Sequence, residues 1–435
     1  MTDFDALHDA VARCALPIRK GSVVAAGELR LEAILPGARL GEIVELRTRD
    51  GALLRAEVAS CEGDRAGLLP FAPLAGVGVG DEVLVVARAA SIPCGDALLG
   101  RVVDPFGTPL DGGPTLAGLA PFDVDRNAPK PLARRAVDEQ LVTGIRAIDG
   151  CLPLGKGQRI GLFAGPGQGK STLLGMLARR AACDVAVVCL VGERGREVRE
   201  FIDGALGPEG LARAVVVVAA ADAPPLVRAR ALPAATAISE WFRGRGRDVL
   251  LVVDSLTRVA RGRRDAALAL GEPPSRSGYP ASALAGLAEL LERAGRDERG
   301  SITAVYTVLT EGGPQDPVAE EARAALDGHV ALSERLARAG RWPAIDVPAS
   351  ISRVMRAIAT EAHVTAAERL RRLLSAYAEN EELILVGAYR AGTSKETDLA
   401  LGRRDAIAAF LRQGANEHSR LDETLARLTA LSRGA

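Results

Sequence analysis

A chain of 435 residues outgrows a single hydrophobic core, since such cores rarely extend past about 250 residues, and two or three domains are expected. With 48% hydrophobic and 25% charged residues the composition excludes a disordered chain, and no apolar stretch approaches the length of a membrane span. The 55 basic side chains balance 55 acidic ones and aromatics are scarce at 3%, so bulk charge gives no reason to coat nucleic acid or anionic lipid.

Met1-Thr2-Asp3-Phe4-Asp5 is acidic and lacks the basic-then-apolar pattern of a secretory signal, so a cytoplasmic protein is expected. Residues 1–17 fit either one short amphipathic helix, with Phe4, Leu7, Ala10, Val11 and Cys14 near one side, or a frayed terminus. From residue 18 to about 90, short apolar runs at 21–24, 42–46, 53–58 and 81–86 are broken by glycine or aspartate. That rhythm predicts a small antiparallel barrel or sandwich. A Pro/Gly-rich connector follows, including Arg101-Val102-Val103-Asp104-Pro105-Phe106-Gly107 and Ala128-Pro129-Lys130-Pro131.

Beyond the connector, β-branched runs alternate with helical stretches, the form of a parallel sheet covered by helices. The expected strands are 159–163, 185–191, 214–218, 248–253 and 302–309, within an α/β core spanning 91–360. After about Thr360 the chain turns to Ala, Glu, Arg and Leu at helical spacing, which predicts a helical domain over 361–435. Six scattered cysteines, Cys14, Cys61, Cys94, Cys151, Cys183 and Cys189, form no C-x-x-C pair and stand at no zinc spacing. They read as reduced and mostly buried.

Three segments carry chemistry. The first is Ala164-Gly165-Pro166-Gly167-Gln168-Gly169-Lys170-Ser171, between an expected strand and a helix beginning near Ser171. Glycines there let backbone N–H groups face phosphate oxygens, Lys170 neutralises the outer phosphates, and the Ser171 hydroxyl can ligate Mg2+. Ala164 stands where the general pattern has its first glycine. The second segment ends the apolar run Leu250-Leu251-Val252-Val253 at Asp254, delivering a carboxylate to the end of a buried strand, where it can hold a magnesium hydration shell opposite Ser171. The third, Val191-Gly192-Glu193-Arg194-Gly195-Arg196-Glu197, offers a carboxylate to polarise an attacking water. Spacing leaves Glu193 and Glu197 as alternatives.

The run Gly192-Glu193-Arg194-Gly195-Arg196-Glu197-Val198-Arg199-Glu200-Phe201 resembles a signature of the type III protein-export ATPases. That family serves bacterial flagella and injectisomes and is related to the catalytic subunit of rotary ATP synthases. Further matches are Thr143-Gly144-Ile145-Arg146-Ala147-Ile148-Asp149-Gly150, Asp254-Ser255-Leu256-Thr257-Arg258, Gly271-Glu272-Pro273-Pro274, Leu326-Asp327-Gly328-His329 and Pro343-Ala344-Ile345-Asp346-Val347, covering nearly the whole chain in one order.

The resemblance implies a RecA-like P-loop core between an N-terminal β-barrel and a C-terminal helical domain, and an ATP-hydrolysing motor of protein export. It implies that Glu193 activates water, that Arg194 and Arg258 line the γ-phosphate site, and that Lys170 acts in catalysis. Gly165, Pro166, Gly167, Gln168, Gly169, Lys170, Ser171 and Thr172 would grip the nucleotide. Trp342 stands where relatives usually stack a tyrosine on adenine, and its larger face suits the same task. Arg353, in Ser350-Ile351-Ser352-Arg353, matches an arginine finger reaching into a neighbouring subunit.

Carrying both Glu193 and Arg353, one chain can build a ring of identical subunits, and the resemblance implies six. Implied partners are a stator or regulator, to which residues 1–17 would bind, a central stalk, secretion chaperones and export substrates, with the ring peripheral to a membrane export gate. A rotary synthase subunit and an RNA-translocating hexamer are the alternatives. Balanced charge and few aromatics argue against the latter, and no nucleic acid partner is expected. Ser171-Thr172-Leu173-Leu174 and 300–307 look more like injectisome members, whereas Gly175-Met176-Leu177-Ala178 leans to the flagellum. The chain departs from the family at 313–317 and 261–265, which bears on pore and rotor contacts.

Overall fold

The computed structural model describes residues 19–116, 118–310 and 316–433. The expected amphipathic segment at 1–17, with Cys14, and most of the divergent 313–317 loop lie outside the described residues.

Six antiparallel strands, Lys20–Ala26, Leu31–Ile34, Ile43–Arg47, Leu53–Glu62, Arg65–Pro70 and Glu82–Ala87, close into a barrel. Alternate residues such as Val23, Leu31, Val44, Leu46, Val58 and Val83 fill its interior, and closure leaves no open strand edge. Four of these strands follow the predicted runs. Leu31–Ile34 and Arg65–Pro70 were not expected, because the first is only four residues long and the second is interrupted by Gly67 and ends in Pro70. Arg230, on the core helix Pro225–Arg243, ties the barrel down through Glu57 at 2.8 Å and also holds Asp125, outside the barrel, at 2.7 Å.

The core sheet runs Ile345–Ser352, Gly328–Leu332, Arg159–Ala164, Ser301–Leu309, Asp248–Asp254, Val185–Val191, Ala214–Ala219 and Val102–Val103, with Gly295–Arg296 pairing off this path. The run from Gly328–Leu332 to Val102–Val103 is parallel, and Ile345–Ser352 closes the other edge antiparallel. Within Val185–Val191, Val185, Val187, Cys189 and Val191 pack on one face and Ala186, Val188 and Leu190 on the other. A strand covered on both faces must be apolar throughout, which is why these runs were legible. Val102–Val103, read as connector, is in fact an edge strand, too short to show a period. Gly328–Leu332 and Ile345–Ser352 also went unpredicted, since histidine, serine and proline interrupt their apolar pattern.

Three helices, Glu361–Leu385, Lys395–Leu411 and Leu421–Ser432, form the C-terminal layer. The Thr360 hydroxyl caps the first by accepting from the His363 N–H, a contact of about 1 kcal/mol. Of the cysteines, Cys94, Cys151 and Cys189 are buried and Cys61 is exposed, all as free thiols. Among the described residues, no helix is long and apolar enough to cross a membrane.

Candidate active site

At the C-terminal ends of the central strands lies a cleft of about 720 Å³, the place where ligands gather in open α/β sheets. Its floor is the loop joining strand Arg159–Ala164 to helix Lys170–Arg180. Gly169 caps that helix at φ +79°, and a Cβ there would also lie 2.6 Å from the Trp342 ring. A side chain is therefore barred twice, by backbone conformation and by space. The Gln168 carboxamide folds back to accept the Gly165 N–H at 2.8 Å, so it braces the loop from within.

Lys170, at the first turn, projects its ammonium between two carboxylates. It pairs with Asp254, which ends strand Asp248–Asp254, and lies 3.4 Å from Glu193, which follows strand Val185–Val191. Arg258 reaches Glu193 from the helix Leu256–Ala269 and approaches the Val191 carbonyl at 3.4 Å. This close passage depends on Gly192, where φ is +67° and a Cβ would meet the Arg258 side chain at 2.8 Å.

Charge and burial set the two carboxylates apart. Burial pushes the Asp254 carboxyl above its ordinary range, against the pull of Lys170. For Glu193 burial acts in the same direction, but the Arg258 hydrogen bond, the Glu197 side chain and the charges of Lys170 and Arg258 together outweigh it and hold the carboxyl below its ordinary range. Perturbed carboxylates facing cations in a cleft are the pattern of a working site.

Ser171 and Thr172 line the cleft beside Gly165, Pro166 and Gly167. Glu197 lines it too, but its carboxylate accepts the Arg194 N–H at 3.3 Å as a cap of helix Gly195–Glu200. Arg194 itself is exposed and absent from the cleft lining, where Arg196 stands instead. Trp342 lies over Gly169 and is 39% exposed.

Arg353 lies far from all of these. Its N–H donates to Asp327, whose own N–H donates to Arg159, at the start of the strand whose other end leads into the phosphate loop. Five residue steps of strand separate the two ends by about 17 Å, so the exposed Arg353 side chain cannot serve the cleft of its own chain.

Sequence reasoning missed Thr307, whose hydroxyl lies 3.0 Å from Asp254, and Ala415 and Asn416, which bring the helical layer to the cleft rim. No motif marks them. The 415–416 loop is held by Arg179, which donates to the Ala415 carbonyl at 2.9 Å. It is also held by the buried Arg146, which donates to the Phe410 carbonyl and the Ser419 hydroxyl, both at 2.8 Å.

Comparison with known proteins agrees across all three layers. The ATP synthase alpha/beta family matches residues 31–85 through its beta-barrel domain and 144–352 through its nucleotide-binding domain. The T3SS EscN ATPase C-terminal domain matches 359–430. The type 3 secretion system ATPase of Xanthomonas euvesicatoria is 49% identical over 428 residues, 98% of this chain and 97% of that protein. The flagellum-specific ATP synthase of Bacillus subtilis is 44% identical over 417 residues, 95% of each. Among solved structures, the assembled ATPase EscN of enteropathogenic E. coli superposes with a TM-score of 0.89 at 41% identity, covering 95% of this chain and 100% of that one. EscN in complex with its central stalk EscO gives 0.88 at 40% identity, with the same coverage.

Proposed function

The chain belongs to the type III protein-export ATPases, the family of bacterial injectisomes and flagella, and from that premise we propose a motor that hydrolyses ATP as a ring of identical subunits, six by the family's pattern, at the cytoplasmic face of a membrane export apparatus. Its proposed working parts are the barrel over 18–90, the ATPase core over 91–360 and the helical unit over 361–435. The observation that carries this reading is the cluster of Lys170, Glu193, Asp254 and Arg258 in one cleft, with Arg353 at the opposite end of the same chain's sheet.

The cations of the site are paired with its own carboxylates. An incoming triphosphate competes for them: loop amides and Lys170 take its outer phosphates, and Arg258 turns to the γ-phosphate. Glu193, relieved of both partners, is then the carboxylate beside the phosphate that can orient a water and accept its proton. Trp342 provides a stacking face for the base at the loop's edge.

The Ser171 hydroxyl and the Asp254 carboxylate suit magnesium, which takes few protein oxygens and completes its shell with water and phosphate. Among the described residues no cluster of three or more His, Cys, Asp or Glu side chains offers a fuller cage, which fits that mode. Bound there, the ion would neutralise charge on the outer phosphates.

Arg353 completes the site of the next subunit, where its guanidinium meets charge developing on the transferred phosphoryl group. The EscN–EscO complex supports a central stalk partner. Leu383, Leu385 and Val386 are exposed at the end of helix Glu361–Leu385. Chaperones, export substrates and a regulator complete the proposed set of partners.

The test is steady-state ATP hydrolysis against protein concentration, together with the mass of the species. Specific activity should rise as rings assemble, and Lys170→Ala should abolish it. Full-rate hydrolysis by a single copy would refute the shared-site reading.

A further inference from the structure

Asp254 is 2% exposed, and among the described residues its carboxylate accepts from two side chains, Lys170 and Thr307. Only one of these remains once nucleotide is bound, because the proposed function requires Lys170 to leave Asp254 for the outer phosphates. Without that bond the carboxylate would have no side-chain donor among the described residues to fix its orientation.

Thr307 is placed to supply the remaining bond. It is fully buried on Ser301–Leu309, the strand between the phosphate-loop strand and the strand that ends at Asp254, in register with Leu162 on one side and with its neighbour Tyr306 opposite Val253 on the other. Its hydroxyl oxygen lies 3.0 Å from both the Val253 carbonyl and the Asp254 Oδ1. One hydroxyl carries one proton, and the charged acceptor makes the stronger bond. Valine has nearly the same shape and the same strand preference but lacks the donor.

We infer that Thr307 is a positioning residue, which holds the Asp254 carboxylate in the orientation needed for the magnesium-bound nucleotide after Lys170 has turned to the phosphates. This rests on the reading of Asp254 given above. Asp254 acts toward the ion, and Thr307 acts only through Asp254.

The experiment measures the dissociation constant of a fluorescent ADP analogue on the full chain, with and without magnesium, so that the readout is the tightening magnesium brings and not turnover. Thr307→Val is expected to lose about tenfold of that tightening while magnesium-free affinity stays as in the wild type. Thr307→Ser, which keeps the hydroxyl, should retain it. Asp254→Asn should lose it as well. If Thr307→Val does not fold, Thr307→Ala carries the same expectation.

Wild-type tightening in Thr307→Val, beside its loss in Asp254→Asn, overturns the inference and leaves the reading of Asp254 standing. Wild-type tightening in Asp254→Asn overturns both. An equal loss of affinity with and without magnesium in the Thr307 variants reduces the residue to a packing role and also overturns the inference.

Discussion

Glu193 is held by Arg258 and Lys170, and this has a consequence for pH. Its carboxyl lies below the ordinary value of 4.5, so the stabilisation from its ion pairs is fully present above that value and is lost as pH falls through the lower, folded one. The same sign applies to catalysis. In kcat/KM, which reports the free enzyme, the contribution of Glu193 to the acid limb should therefore fall below pH 4.5, apart from that of Asp254, whose carboxyl burial raises. In Arg258→Met the limb should move upward, because a hydrogen bond and a charge that favour the ionised form are gone, and kcat/KM measured across pH checks this independently of the overall rate. A second substitution separates binding from chemistry. Glu193→Gln should bind ATP yet hydrolyse it at least about 100-fold more slowly, the usual worth of a general base, as nucleotide binding and phosphate release measured side by side will show.

Among the elements, the phosphate loop and the 410–419 segment are the two whose geometry governs the cleft. Gly169→Ala places a Cβ at φ +79° against the Trp342 ring, and should weaken nucleotide binding at least tenfold, since the loop must shift to admit it. The segment depends on Arg146, whose side chain is 4% exposed and donates to groups contributed by residues 410, 412, 417 and 419. Arg146→Ala leaves these unpaired at a cost of about 3 kcal/mol. In urea its helical signal should begin to fall at a lower concentration than that of the wild type. The core strands were legible because burial on both faces makes each an unbroken apolar run. Strands 328–332 and 345–352, toward one side of the sheet, were not, because only some of their positions are buried and His329, Asp346, Pro348 and Ser350 break the apolar pattern.

For the whole molecule the decisive question is whose site Arg353 serves. Mixing Lys170→Ala, which keeps the finger, with Arg353→Ala, which keeps the phosphate loop, should restore hydrolysis at about a quarter of the sites in randomly assembled rings. A finger acting within its own chain would restore none. The chemical classes in play were contained in the sequence by itself: a triphosphate loop at 164–171, a carboxylate closing the strand at 254, two acidic candidates at 193 and 197, and three successive layers of barrel, α/β core and helices. These are local properties, written in contiguous residues or in the period of one element. Tertiary structure alone decided that Glu193 meets Lys170 and Arg258 while Glu197 caps a helix, that Thr307 faces Asp254, that Asn416 reaches the rim, and that Arg353 stands at the far end of the sheet. Each of these joins or separates residues by strand order and packing, and their positions along the chain carry no trace of it.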